Sequence, residues 1–178
     1  DSIIAAFSTI LCSPDFIFID ATPGTLKQKE LASRLSFFLW NSPPDNTLTE
    51  LKKLNDPEIL RKQTNRLLDN AKSVRFVNSF LDYWLNLRDI LANAPDAILY
   101  PDYYLDDELT EASVFETRAF FTELIKKNLP ARNLIDSEFT FVNERLAKLY
   151  KLESFEGTHL RKVSLPKDSP RGGIITQA

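Results

Sequence analysis

Apolar residues recur at helical spacing along most of this chain and at strand spacing almost nowhere. Ile3, Ile4, Phe7, Ile10 and Leu11 share one side of a predicted helix over residues 2–12. "SPDFIFIDATPG" then reads as an extended connection, with Pro14 stopping the helix and Pro23-Gly24 forming a turn. Thr25 and Gln28 fit a capping box, and Leu31, Leu35, Phe38 and Leu39 carry the next helix through Trp40. Phe37 and Trp40 widen its apolar face, which marks a central helix. Arg34 lies inside that run, so burial would demand a partner for its charge.

"NSPPDN" ends this helix. A short helix is predicted over 47–54, and Asp56-Pro57 starts another that runs to about residue 69, with aspartate as N-cap and proline at the first helical position. "KSVRFVNSFLDYWLNL" carries two apolar stripes, Val74/Val77/Leu81/Trp84 and Phe76/Phe80/Tyr83/Leu87, as expected of a helix inside a bundle. Residues 89–106 are irregular. Over 107–128 the pattern is helical again, with Val114, Phe120, Phe121, Leu124 and Ile125 within an arc of about 140°. Glu116, Glu123 and Lys127 are expected on the opposite, solvated side, with Glu123 and Lys127 paired.

Pro130 closes that helix. Thr140 is read as the cap of a last helix reaching about residue 152, "HLRKVSLP" as a short strand or extended arm, and "RGGIITQA" as a flexible joint and the first turn of a truncated helix. These patterns predict an all-α fold: an orthogonal bundle of about six to eight helices with long irregular connections. Only four glycines in 178 residues agree, because all-β folds need many glycines for their turns.

Composition narrows the function classes. A net charge of −3, with basic and acidic residues mixed, argues against nucleic-acid binding; Lys126-Lys127 and Arg161-Lys162 are short surface pairs, not a phosphate-binding stripe. One cysteine, Cys12, excludes an internal disulfide framework and a CxxCH haem attachment. One histidine, His159, excludes multi-histidine metal sites and is read as a surface residue. No metal site is expected: "DYYLDDE" lacks the glycine bend of a calcium loop, and Asp106, Asp107, Glu108 and Glu111 suit a helix N-terminus. No stretch approaches the ~20 apolar residues of a membrane span. The chain starts at Asp1 and contains no methionine, which leads us to expect part of a longer protein.

The stretch "SEFTFVNERLAKLYKL" holds the densest candidate chemistry. Asp136, Glu138, Glu144 and Arg145 are the candidate catalytic groups, a carboxylate set of the kind hydrolases place across a cleft. The first reading of Asn143, Glu144 and Arg145, with Arg34, is nevertheless structural: buried polar groups that fix helices through hydrogen bonds. Tyr100, Tyr103 and Tyr104 either line a binding groove or anchor a long loop.

"ILCSPDFIF", "LASRLSFFLWNSPPD", "LLDNAKSVRFVNSFLDYWLNLRDI", "IDSEFTFVNERLAKLYKL" and "RGGIITQA" resemble, in that order, the blocks of the domains of unknown function in large planctomycete-type cytochrome c proteins. The resemblance implies that residues 1–24 close a preceding small domain, that 25–165 form the helical domain, and that 166–178 are a linker and the start of a further domain. It also implies a periplasmic, secreted or cell-surface protein with a c-type haem elsewhere in the parent, none within this chain, and the parent's other domains as partners. It supplies no catalytic residue. The preferred reading is a non-catalytic module that supports or docks a partner domain. The alternative is an oxidoreductase or hydrolase domain, acting for instance on polysaccharide-derived substrates, with its carboxylates around 136–145, and a third is a carbohydrate- or protein-binding surface formed by Tyr100, Tyr103 and Tyr104.

Overall fold

A computed structural model describes residues 2–18, 24–92, 95–104, 106–153 and 156–178. The turn predicted at Pro23-Gly24 lies partly outside them. The fold is all-α in character, with one small antiparallel β-ladder, and the chain divides into two compact units, residues 1–76 and 77–178.

In the first unit, α1 (Ser2–Leu11) is followed at once by α2 (Pro14–Ile17). Here the sequence expectation is corrected. Pro14 starts a helix because Ser13 caps it, its hydroxyl accepting the Phe16 N–H, and proline is tolerated in the first turn. α3 (Gln28–Trp40) has Lys27 as its N-cap and so begins two residues later than the Thr25 cap predicted. The Lys27 N–H donates to the Glu30 carboxylate at 2.8 Å, and Gln28 is engaged elsewhere, accepting from the Leu54 N–H. Asn41 ends α3 in a left-handed conformation, φ 47°.

Asp45 caps α4 (Asn46–Glu50), and Asp56 caps α5 (Pro57–Asp69) through the Glu58 and Ile59 N–H groups, with Pro57 in the first turn as predicted. Ala32, Leu39, Trp40, Leu48, Leu54 and Leu67 form the core of this unit. The Trp40 indole N–H, buried with its ring, donates to the Leu67 carbonyl at 2.9 Å. A bidentate Arg66–Asp45 pair, 2.7 and 3.1 Å, sits at its edge. Arg34 is exposed, contrary to the expectation of a buried, paired guanidinium. The α3 residues that turn inward are Ala32, Ser36, Leu39 and Trp40, and Arg34 falls between them on the outside.

α6 (Val74–Trp84) buries Val77 and Leu81 only; the ends of that first stripe, Val74 and Trp84, are exposed, and so are Phe80 and Tyr83 of the second, which is therefore not a second buried face. The second unit is organised around α7 (Asp107–Lys126), capped by Asp106. Against α7 lies β1 (Phe139–Val142), where the sequence predicted the start of a helix. Thr140 and Val142 alternate inward in an extended, β-favouring run, and Asn143 supplies the cap instead, its side-chain oxygen accepting the Leu146 N–H to open α8 (Glu144–Leu149). β2 (Arg161–Ser164) pairs antiparallel with β1, Phe139 opposite Ser164 and Val142 opposite Arg161. The expected Glu123–Lys127 pair is replaced: Lys127 lies past the last turn of α7, and Glu123 meets Lys162 of β2 at 2.8 Å.

Candidate functional site

The most unusual group in the second unit is Glu116, which is fully buried. The sequence reading placed it on the solvated side of α7, and that is corrected here. Glu116 sits one turn before Phe120, about 40° away around the helix, and the buried stripe runs through Leu109, Ser113, Glu116, Phe120 and Leu124. Both carboxyl oxygens are satisfied. The Thr140 hydroxyl donates to Oε1, and the Tyr150 hydroxyl donates to Oε2 at 2.6 Å. Burial pushes the Glu116 carboxyl above its ordinary range, against the opposing pull of those two hydroxyls. Tyr150 is driven upward as well, first by burial and then by the carboxylate beside it.

Around this pair the polar contacts continue. The Tyr150 hydroxyl accepts the Ala178 N–H at 2.6 Å, and the Arg171 guanidinium lies 4.3 Å over its ring. The Thr117 hydroxyl donates to the Gln177 side-chain oxygen at 2.8 Å. Tyr103 is half-buried, its hydroxyl 3.4 Å from that of Ser113. A carboxyl so enclosed ties α7, β1 and the end of α8 together and offers no open face to a substrate.

The sequence-predicted candidates do not converge. Asp136 and Glu138 are exposed. Glu144 is exposed too, its carboxylate accepting the Gly157 N–H at 3.0 Å, which corrects its reading as a buried clip. Arg145 is likewise exposed, not buried, but paired: Nε lies 3.2 Å from Glu108 and Nη1 3.7 Å from Asp106. Only Asn143 of the four structural candidates is buried. Tyr100 and Tyr104 leave 56% and 62% of their surface in water, whereas Tyr103 is half-buried.

A hollow of about 270 Å³ opens beside Arg145, lined by Asp102, Asp106, Leu109, Lys148, Leu149 and Lys151. It brings acidic and basic groups together, but none of Asp136, Glu138 and Glu144 reaches it. Lys151 stands in a left-handed conformation, φ 55°, where the chain leaves α8. Among the described residues no group of three or more His, Cys, Asp and Glu side chains is arranged to hold a metal, and no helix is long and apolar enough to cross a membrane. Cys12 and His159 are exposed.

A model of the PSD4 family, proteins of unknown function (DUF1592), matches residues 26–152. The chain belongs to this family. The match runs from just before α3 to the residue after Lys151, so it takes in Glu116, Thr140, Asn143 and Tyr150, while α1, α2, β2 and residues 171–178 lie outside it. No curated protein and no solved structure matches the chain. Sequence reasoning missed Glu116, which stands in no motif, and passed over Tyr150, which lies inside the "SEFTFVNERLAKLYKL" stretch but beside more conspicuous charged residues. The available signal was the i, i+4 relation of a glutamate to a core phenylalanine.

Proposed function

We propose that the chain is a non-catalytic helical module of a larger extracytoplasmic protein, periplasmic, secreted or at the cell surface, with a c-type haem carried elsewhere in that protein. In this reading it docks a neighbouring domain of the same protein through α1 and α2. The observation that carries the reading is the exposure of those helices. Ile3, Ile4, Phe7, Ile10 and Leu11, with Phe16, Ile17 and Phe18, each leave more than half of their surface in water, and α1 contributes no buried residue. So many large apolar side chains within one short segment mark a surface that another body covers.

The chemistry of the segment selects the partner. Residues 2–18 carry a single charge, that of Asp15, and no lysine or arginine, whereas a helix lying on a membrane surface presents lysines and arginines on its polar face. A protein surface fits better. The resemblance of "ILCSPDFIF" to the close of a preceding domain makes that domain the occupant, and the same resemblance is what supports the extracytoplasmic location and the haem.

Hydrogen exchange tests the docking. Amides of residues 2–18 are expected to exchange at least about ten-fold more slowly in the full-length gene product than in this chain alone. Equal exchange in the two would overturn it. Haem bands in the visible spectrum of the full-length product are expected, and their absence would remove that part of the reading. A second reading, binding or catalysis at Arg145, is favoured by the charged hollow. Its test is whether Arg145→Ala abolishes any ligand-induced rise in melting temperature found by screening small anions and sugars.

A further inference from the structure

The "RGG" at 171–173 is seated, not loose. Gly173 has φ 131°, and a Cβ there would come 2.6 Å from the Ile135 carbonyl oxygen and 2.7 Å from that of Leu134, backbone groups that have no room to yield. Only glycine fits. The Gly172 carbonyl accepts the Ser137 N–H at 3.0 Å, and the Gly172 N–H donates to the Thr176 hydroxyl at 2.9 Å. The Arg171 guanidinium covers the Tyr150 ring and donates to the Thr176 carbonyl at 2.6 Å. Further along, the Gln177 amide oxygen accepts from Thr117 and the Ala178 N–H meets the Tyr150 hydroxyl, which in turn holds Glu116.

These contacts are of the kind that recognise a peptide: an aromatic face for a guanidinium, a backbone slot that admits no side chain, main-chain pairing and two polar anchors. We propose that the second unit carries a peptide-binding groove, bounded by residues 134–137, Tyr150 and the Thr117 side of α7, that recognises an Arg-Gly-Gly segment and is filled in cis by residues 171–178. The groove is built from the fold: its floor is the Glu116–Tyr150 pair, and its wall is the turn leading into β1. The occupant is a segment of this chain, so a free peptide of the same sequence competes for the same place.

The full chain tests this. Gly173→Val cannot seat its own segment, which leaves the groove open. A fluorescently labelled peptide of residues 170–178 is expected to bind this variant saturably, at least about ten-fold more tightly than it binds the unaltered chain. The same peptide carrying valine at its second glycine is expected not to bind. Equal binding of both peptides, or no binding to a variant that keeps its native circular dichroism, overturns the proposal. Should Gly173→Val fail to fold, Arg171→Ala decides. Amides of residues 174–178 are then expected to exchange about ten-fold faster than in the unaltered chain, with α5 amides unchanged. Unchanged exchange at 174–178 overturns the proposal as surely.

Discussion

The two units bury different chemistry. The first closes mainly on hydrocarbon: Leu39, Leu48, Leu54 and Leu67 pack around Trp40, its buried polar side chains are the uncharged Ser36, Gln63 and Ser73, and its ionic pair, Arg66–Asp45, stays at the partly wet edge. The second places a carboxyl group, Glu116, in the middle of the stripe that Leu109, Phe120 and Leu124 bury. A hydrocarbon interior tolerates exchange of one apolar side chain for another of similar volume, because dispersion and burial are non-directional. A carboxyl interior is specified atom by atom, since each unpartnered oxygen or hydroxyl left there is costly. The second unit therefore gains definition, not depth, from its polar centre.

Truncation is the strongest way to break this contrast. Leu67→Ala should cost ~2–5 kcal/mol, the transfer of the lost methyl groups plus the cavity that remains. Glu116→Ala should cost less, ~1–3 kcal/mol, because the unpaired Thr140 and Tyr150 hydroxyls are offset by no longer burying a carboxyl. Denaturant titration of both variants gives the comparison directly. A Glu116→Ala loss exceeding that of Leu67→Ala would mean the carboxyl, not the surrounding apolar packing, holds the second unit together.

Much of the first unit was legible because its signals are local. Asp56-Pro57 states the start of α5 within two residues, and the Leu31/Leu35/Leu39 spacing states α3. What escaped depends on partners distant in sequence. Glu116 looks like any surface glutamate until Thr140 and Tyr150, 24 and 34 residues on, supply its hydrogen bonds. β1 exists because Arg161–Ser164 pairs with it, and before that pairing is known Thr140 is as good a helix cap as a strand residue. Arg34 was misplaced for the converse reason: an apolar run on both sides of a charge does not say which side of the helix the charge takes. The hollow beside Arg145 was invisible, since Asp102, Asp106, Lys148 and Lys151 come from separate stretches.

Titration sharpens the contrast at smaller energies. Glu116 is held above the ordinary carboxylate range by burial. Its contribution to stability is therefore fully present below the unfolded carboxylate pKa and is lost as the pH rises through the folded value. Asp45 runs the other way: its hydrogen bonds to Arg66 hold it below the ordinary range, so its contribution is present above the unfolded value and is lost as the pH falls through the folded one. Glu116→Gln should remove the decline on the neutral side and leave the acid side unchanged. Asp45→Asn should flatten the acid side alone, by ~1 kcal/mol or less for so wet a pair. Unfolding free energies measured from acid to neutral pH decide it, and identical profiles for the two variants would erase the distinction between the units.

The smallest effects separate neighbours at the start of α8. Asn143 is buried and satisfies the Leu146 N–H, one of the orphan donors of the first turn, so Asn143→Ala should cost ~1 kcal/mol. Two positions on, Arg145 is exposed, and its pairing with Glu108 and Asp106 lies in water that screens it. Arg145→Ala should leave the unfolding midpoint where it is, at low and high salt alike. The reason lies in which group loses its alternative. Water replaces a carboxylate for an exposed guanidinium at little loss, whereas no water reaches the N–H that Asn143 serves. A midpoint shift for Arg145→Ala as large as that of Asn143→Ala would show that the guanidinium does structural work, and it would move the centre of the second unit toward the charged hollow and away from Glu116.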